Sequence, residues 1–546
     1  MKKMRRFAAI AAAAAMTACM AVPMMTGFAA KVADGETGNS ITLTNKDGAT
    51  HTYSAYQIFS GDFESGVLAS IQWGDGVDGV ALLTALQGDA TIGSYFTGDT
   101  SAYDVSVGLA NDAFKNDSAE AQKFAELVAA NIKTASTSGN VSGDTISGLP
   151  DGYYLILDSA APTNPGGTNP NSGAKTRYVV RVTDDETVTL DAKHSAPSVE
   201  KKVKENVKYT GNDGYGANYN DVADWTIGDA VPFKLYGTLP DTLNSYETYK
   251  YIFHDTLSAG LDYNDDAKVW LVNTTGDPAD ITGEFTITEA NGVLTISCSD
   301  VTAIDGVTAS SKIQVEYTAT LDVDAEIGLD GNPNQVYLEY SNNPNQEGSG
   351  ANETGQTPVD KVIVFTYELD TTKVDAADST KKLQNAVFYL KDAEGNYVQV
   401  NDSGVVTGWT TEKTDASELT SDSNGLFKVI GLDDGTYALQ EVTPPSGYNI
   451  LTEDVAIVIT AGTVHNQTWT GTAGDALQTL AVSVDGTSAD GNTQSGIVNA
   501  TVTNNKGSVL PSTGGIGTTL FYVIGGTLAA GAGVALIAKK RMKNEE

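Results

Sequence analysis

The stretch Ile516 to Ala538 contains no charged residue and is followed at once by Lys539-Lys540-Arg541. It is long enough to cross a bilayer as a helix, and the basic residues behind it mark its cytoplasmic end. Everything N-terminal to it must then fold outside. The opposite end of the chain agrees. Lys2, Lys3, Arg5 and Arg6 precede an apolar run from Phe7 to Val22, and Gly27-Phe28-Ala29 fits a small-x-small cleavage site. Residues 1–29 read as a secretory signal peptide.

Just outside the C-terminal run lies Leu510-Pro511-Ser512-Thr513-Gly514. Motif, spacing to the apolar run and basic tail together resemble the cell-wall sorting signal of Gram-positive surface proteins, the LPxTG motif read by sortases. The resemblance implies that a sortase thiolate cleaves between Thr513 and Gly514 and holds Thr513 as an acyl-enzyme. If peptidoglycan supplies the accepting amine, the product is a wall-anchored protein. If a lysine of another subunit supplies it, the product is a pilin.

Cysteine content sharpens the problem. Of the two cysteines, Cys19 lies in the signal peptide, so only Cys298 remains and no intramolecular disulfide can form. A long secreted chain without disulfides needs another source of stability. Its 69 acidic and 33 basic residues give a formal net charge of −36, which repels nucleic acid and anionic membranes alike. Abundant Gly, Thr, Val, Asn and Asp suit short strands joined by tight turns. The expected fold is mostly β, with a short helix in the N-terminal domain and the C-terminal transmembrane helix.

In chain order, residues 31–190 form a first domain. Ile41–Thr44, Thr52–Phe59, Gly152–Leu157 and Tyr178–Val182 alternate as strands. Ser118 caps a helix expected to run to about Thr134. Residues 191–360 form a second β-rich domain, in which Val199, Lys201 and Val203 share one strand face. A lysine there is unusual, because burying its charge is costly. Lys202, one residue out of phase, is expected to face solvent. A third domain spans 361–506, and 507–546 is the sorting segment.

The third domain resembles the B-type domain of collagen adhesins and pilins, through Lys373-Val374-Asp375, Phe388 to Leu390, and Tyr437-Ala438-Leu439-Gln440-Glu441 followed by Pro445-Ser446-Gly447-Tyr448. The resemblance implies tandem immunoglobulin-like, collagen-adhesin-type β-sandwiches. It also implies a covalent bond from the first-strand Lys373 to the last-strand Asn504, assisted by Glu441, with Asn505 as the alternative partner. Burial favours the neutral forms of lysine and glutamic acid. A neutral lysine is a nucleophile, and a protonated carboxyl can polarise the amide and shuttle a proton.

The second domain resembles the isopeptide-forming middle domain of pilin shafts, through Val199–Val203, Phe253–Leu261 and Gly331–Val336. By position this implies Lys201 as nucleophile, Asp255 as assisting acid and Asn334 as acceptor, with Asn342 a weaker candidate. Lys193, at the first junction, occupies the place of the lysine that links subunits in shaft pilins, although its flanks Ala192 and His194 lack that motif's Pro and Asn. Lys201, Lys202 and Lys204 are rivals nearby. In the first domain Asp158 follows Gly152 at the offset at which Glu441 follows Gly435, so a third bond to Lys46 is conceivable, though a strand-end Asp is the favoured reading.

No phosphate loop, metal cluster or nucleophile–base–acid triad is visible. The Asp/Gly-rich loops do not match calcium-loop spacing, and no cofactor is implied. The chain reads as a major pilin, a structural subunit and not a turnover enzyme, displayed at the cell wall. Its partners are a sortase, identical subunits, accessory pilins and peptidoglycan. Any host ligand is unnamed. The alternatives are a monomeric wall-anchored adhesin and a wall-anchored hydrolase.

Overall fold

The structure is a computed structural model. It describes residues 38–345 and 353–507 apart from short breaks, the longest at 160–173 and 207–218, and a few positions between 523 and 532. The signal peptide, Lys46, Lys193 and the motif Leu510–Gly514 lie outside the described residues. Among the described residues no helix is long and apolar enough to cross a membrane.

Residues 39–191 build two four-stranded sheets. One has the order Asn140–Ser142, Thr145–Leu149, Asn39–Thr44, Thr187–Asp191. The other runs Val67–Trp73, Tyr53–Glu64, Gly152–Asp158, Arg177–Val182. The strand Gly152–Asp158 is buried at every position, and its continuous apolar sequence has a direct cause. Tyr154 and Ile156 face the first sheet beside Ile41 and Leu43. Tyr153, Leu155 and Leu157 face helices on the other side. The expected helix is present as Ala119–Ala130, with the Ser118 hydroxyl accepting from the Ala121 N–H at 3.1 Å. Two more helices, Gly79–Gly88 and Ala102–Leu109, accompany it. They escaped the sequence reading because they are short and sit among Gly- and Asp-rich turns that read as loop.

The next region is a sandwich of two larger sheets. The first contains Val199–Lys204, Ala230–Thr238, Lys312–Leu321 and Lys268–Val272. The second contains Val222–Asp224, Asp360–Phe365, Asn332–Ser341, Tyr251–Leu257 and Val293–Cys298. Strict alternation of buried and less buried positions along Lys312–Leu321 reflects one face turned to the facing sheet. The strand Asp360–Phe365 pairs within this sandwich, so the sheets change hands at Thr366.

From Tyr367 a third pair of sheets begins. Tyr367–Asp375 lies between Leu426–Leu432 and the last strand, Ile497–Asn504. First and last strands run parallel, with Lys373 opposite Val502 and Asp375 opposite Asn504. The facing sheet carries Val387–Lys391, Gly435–Thr443, Val455–Thr463 and Leu477–Val484. One continuous apolar core runs through the second and third regions. At their seam Ile227 donates its N–H to the Gly431 carbonyl at 2.9 Å. Gly431 has φ +91°, and a Cβ there would lie 2.4 Å from Ile227 Cδ1. Glycine is required at that seam by conformation and by space.

Candidate functional site

Two fully buried lysines, Lys201 and Lys373, lie on the first strands of the two sandwiches. Strand pairing brings Lys373 and Asn504 together. Their strands are neighbours, so both side chains point into the same core, and both are 0% exposed. The Lys373 ammonium nitrogen is hydrogen-bonded to the Asn504 side-chain oxygen. Glu441 reaches in from the facing sheet, accepting the Asn504 Nδ2–H groups at 2.9 Å on both carboxylate oxygens. Lys373 Nζ is 3.7 Å from Glu441 Oε1 and 5.7 Å from the Phe388 ring centre. Asn449 contributes its carbonyl to the same amide at 2.9 Å, and the Leu451 N–H holds Glu441 Oε2 at 2.8 Å. Burial lowers the Lys373 pKa to about 8, against the raising influence of Glu441. Asn505, the alternative partner, is exposed.

This geometry refines the role expected for Glu441. Its carboxylate sits on the amide nitrogen, the group that would leave, while the lysine sits against the amide oxygen. A carboxyl in that place can hand a proton to departing ammonia.

In the middle sandwich, Lys201 points across from the first sheet to Asp255 and Asn334 on adjacent strands of the second, whose register sets Leu257 opposite Asn334. All three are 0% exposed. Lys201 Nζ lies 2.6 Å from Asp255 Oδ2 and 2.9 Å from the Tyr317 hydroxyl. Tyr317 donates to Asp255 Oδ2 at 2.7 Å and accepts from Asn334 Nδ2 at 2.7 Å. Asp255 Oδ1 and Asn334 Oδ1 have no hydrogen-bond partner. Burial lowers the Lys201 pKa, opposed by Asp255, and raises that of Asp255, opposed by Lys201 and Tyr317. Both trends favour the uncharged pair. Sequence reasoning missed Tyr317, which joins the three groups. Its only signal was an aromatic at an inward position of the Lys312–Leu321 alternation. It also missed Asp360, whose carboxylate takes the Lys201 backbone N–H at 2.6 Å.

Lys202 corrects an expectation. It does not face solvent: it is 2% exposed and ion-paired with Asp221 and, at 3.4 Å, with Glu200. The outer face of its strand is covered there, because Asp221 is in turn held by the Trp469 N–H from the third region at 2.8 Å. Asn342 lies away from Lys201, its carbonyl taking the Lys175 N–H at 2.7 Å. Asp158 is bound by His51 at 2.9 Å and by the Thr176 N–H at 2.7 Å. Next to Lys193, Ala192 is buried and donates its N–H to Thr44, and on the other side Ser195 accepts the Asp241 N–H.

Comparison with known proteins finds two matching family models. Residues 502–546 match the LPXTG cell wall anchor motif and residues 367–473 the SpaA prealbumin-like fold domain. The trypsin-resistant surface T6 protein of Streptococcus pyogenes serotype M6 is 24% identical over 457 residues, spanning 72% of this chain and 78% of that protein. The solved structure of the T6 backbone pilin of serotype M6 Streptococcus pyogenes, described as modular and three-domain, superposes with a TM-score of 0.52. It shares 18% identity and covers 87% of this chain and 99% of its own. The chain shares the fold of a backbone pilin and carries an LPXTG wall-anchor segment. That segment places it at the cell wall, displayed on the surface.

Proposed function

We propose that this chain is a backbone pilin, polymerised head to tail by a sortase that joins Thr513 of one subunit to Lys193 of the next, and that each subunit is braced by two intramolecular isopeptide bonds, Lys201–Asn334 and Lys373–Asn504. The observation that carries the bracing is the Lys373 amine against the Asn504 amide with Glu441 on the leaving nitrogen. In each centre the neutral lysine nitrogen attacks the asparagine carbonyl carbon. The carbon–nitrogen bond of the primary amide breaks, the amine proton passes through the carboxyl to the departing nitrogen, and ammonia leaves. Each reaction happens once per chain. Such bonds stand where disulfides are absent.

Because the donor Thr513 and the acceptor Lys193 are different residues of the chain, the contact is heterologous. It does not close, and it yields a filament. Accessory pilins and peptidoglycan would then compete as further partners of the same acyl-enzyme. A monomeric wall-anchored adhesin would share the sorting segment but need no acceptor lysine.

The test is an immunoblot of wall digests boiled in SDS, from cells making the natural protein or Lys193→Ala. A high-mass ladder that the substitution abolishes is expected. A ladder that survives moves the acceptor to another lysine, and the buried state of Lys201 and Lys202 makes Lys204 the next to change. A single monomer-sized band from the natural protein, with sortases present, defeats polymerisation.

A further inference from the structure

The seam between the middle and C-terminal sandwiches holds a group of buried carboxylates that the cross-linking chemistry does not use. Asp224 ends the strand Val222–Asp224 of the middle sandwich. Asp433 and Asp434 form the turn between Leu426–Leu432 and Gly435–Thr443 of the C-terminal one. Asp224 is 0% exposed and Asp433 8% exposed. One carboxylate oxygen from each of the three lies within 4.8 Å of the others. Glu205, also fully buried, adds a fourth carboxylate, accepting the Asp224 N–H at 3.1 Å.

One oxygen of Asp224 and one of Asp433 are accounted for. Asp224 Oδ2 accepts from the Tyr367 hydroxyl at 3.3 Å, and Asp433 Oδ2 from Asn206 at 2.5 Å. The other oxygens are not. Oδ1 of Asp224, of Asp433 and of Asp434 each lacks any hydrogen-bond partner. No described lysine or arginine is ion-paired with these three side chains. Burial, and after it the neighbouring carboxylates, push the Asp224 pKa well above the usual carboxylate range, and burial does the same for Asp433. Unpartnered buried carboxylate oxygens are costly, and each of the three side chains that converge across this domain seam carries one.

We propose that Asp224, Asp433 and Asp434, with Glu205 beside them, bind one calcium ion that clamps the middle sandwich to the C-terminal one. All the converging donors are oxygen, which selects a hard cation. A flexible, carboxylate-rich set completed by water suits calcium better than magnesium, which demands a stricter octahedron and dehydrates reluctantly. Calcium-loop spacing could not reveal the site, because its ligands come from residue 224 and from 433 and 434. The ion bridges a strand end of one domain and a turn of the next, and stiffens the joint where successive domains would otherwise bend.

Isothermal titration of calcium into the full-length protein, metal-stripped and purified in detergent, tests this directly. One ion per chain is expected, with a dissociation constant of about 0.1–1 mM, as in extracellular calcium modules. Calcium at about one hundred times that constant should raise Tm by about 5 °C, and a chelator should reverse the rise. Asp433→Asn, close in shape and size, should lose both the heat and the shift while keeping the circular dichroism of the folded chain. Absence of calcium heat in the natural protein overturns the proposal, and means the carboxyls share protons instead. An undiminished calcium response in Asp433→Asn overturns the assignment of the site. An equal response to magnesium overturns the choice of ion. The natural protein alone decides the first outcome, so a variant that misfolds leaves the test intact.

Discussion

Glu441→Gln is expected to yield a folded chain about 17 Da heavier than a linked chain carrying the same substitution, the mass of the ammonia retained when the proposed Lys373–Asn504 bond does not form. The substitution keeps the side chain's size and leaves Lys373 and Asn504 in place. It removes the group that can give a proton to the amide nitrogen it now holds at 2.9 Å. Asn504→Ala removes the acceptor itself and should show the same missing bond. Stability should follow. The bond would close a loop of 131 residues, and loop entropy then assigns about 5 kcal/mol to it. The C-terminal transition in calorimetry should fall sharply in both variants, and trypsin should cut within residues 367–504 where the natural chain resists. A natural chain whose intact mass equals that of its sequence less the signal peptide removes both bonds at once. A Glu441→Gln chain that is still light by the ammonia mass removes Glu441 from the proton transfer.

The legibility of these centres in the sequence was uneven, for physical reasons. A lysine in phase with Val199 and Val203 could be assigned to the core from period alone, and Lys201 is fully buried. The same periodic argument failed one residue later. Alternation describes a strand with one solvated face, and Lys202 lies where Asp221 and the Trp469 segment cover the second face. That cover is a tertiary fact with no local signal. Asp255 and Asn334 could be placed through the family pattern, but Tyr317, which connects them, belongs to a third strand. Its hydroxyl role depends on sheet packing rather than on spacing. In the first region the strands were readable from alternation and one helix from its Ser118 cap. The other two helices were hidden by short length and Gly-rich flanks. The seam carboxylates are the extreme case: Asp224 reads as a strand-end residue and Asp433-Asp434 as a polar turn, and only the fold brings them together.

Asp255→Ala is expected to be the most damaging single change in the middle sandwich, and mechanical extension should show it most directly. Two losses coincide. The acid of the proposed Lys201–Asn334 bond disappears, so the lysine stays free. That lysine, fully buried with Asp255 at 2.6 Å, then keeps only the Tyr317 hydroxyl as a polar partner. Breaking one side of a buried ion pair costs about 3–5 kcal/mol, to be added to the lost cross-link. A second variant separates the two. Lys201→Met combined with Asp255→Ala removes the stranded charge and should recover much of the stability, yet it still cannot form the bond. Pulled from its ends, the natural subunit should gain no length between residues 201 and 334, because the load passes through the proposed bond. Both variants should instead release that segment, a gain of roughly 450 Å of chain at about 3.5 Å per residue. A natural subunit that lengthens by the same amount would show that the strand ladder alone bears the load. Stability recovered in the double variant together with the long extension would show that folding and load-bearing are separate tasks at this site, the first met by packing and the second only by the covalent link.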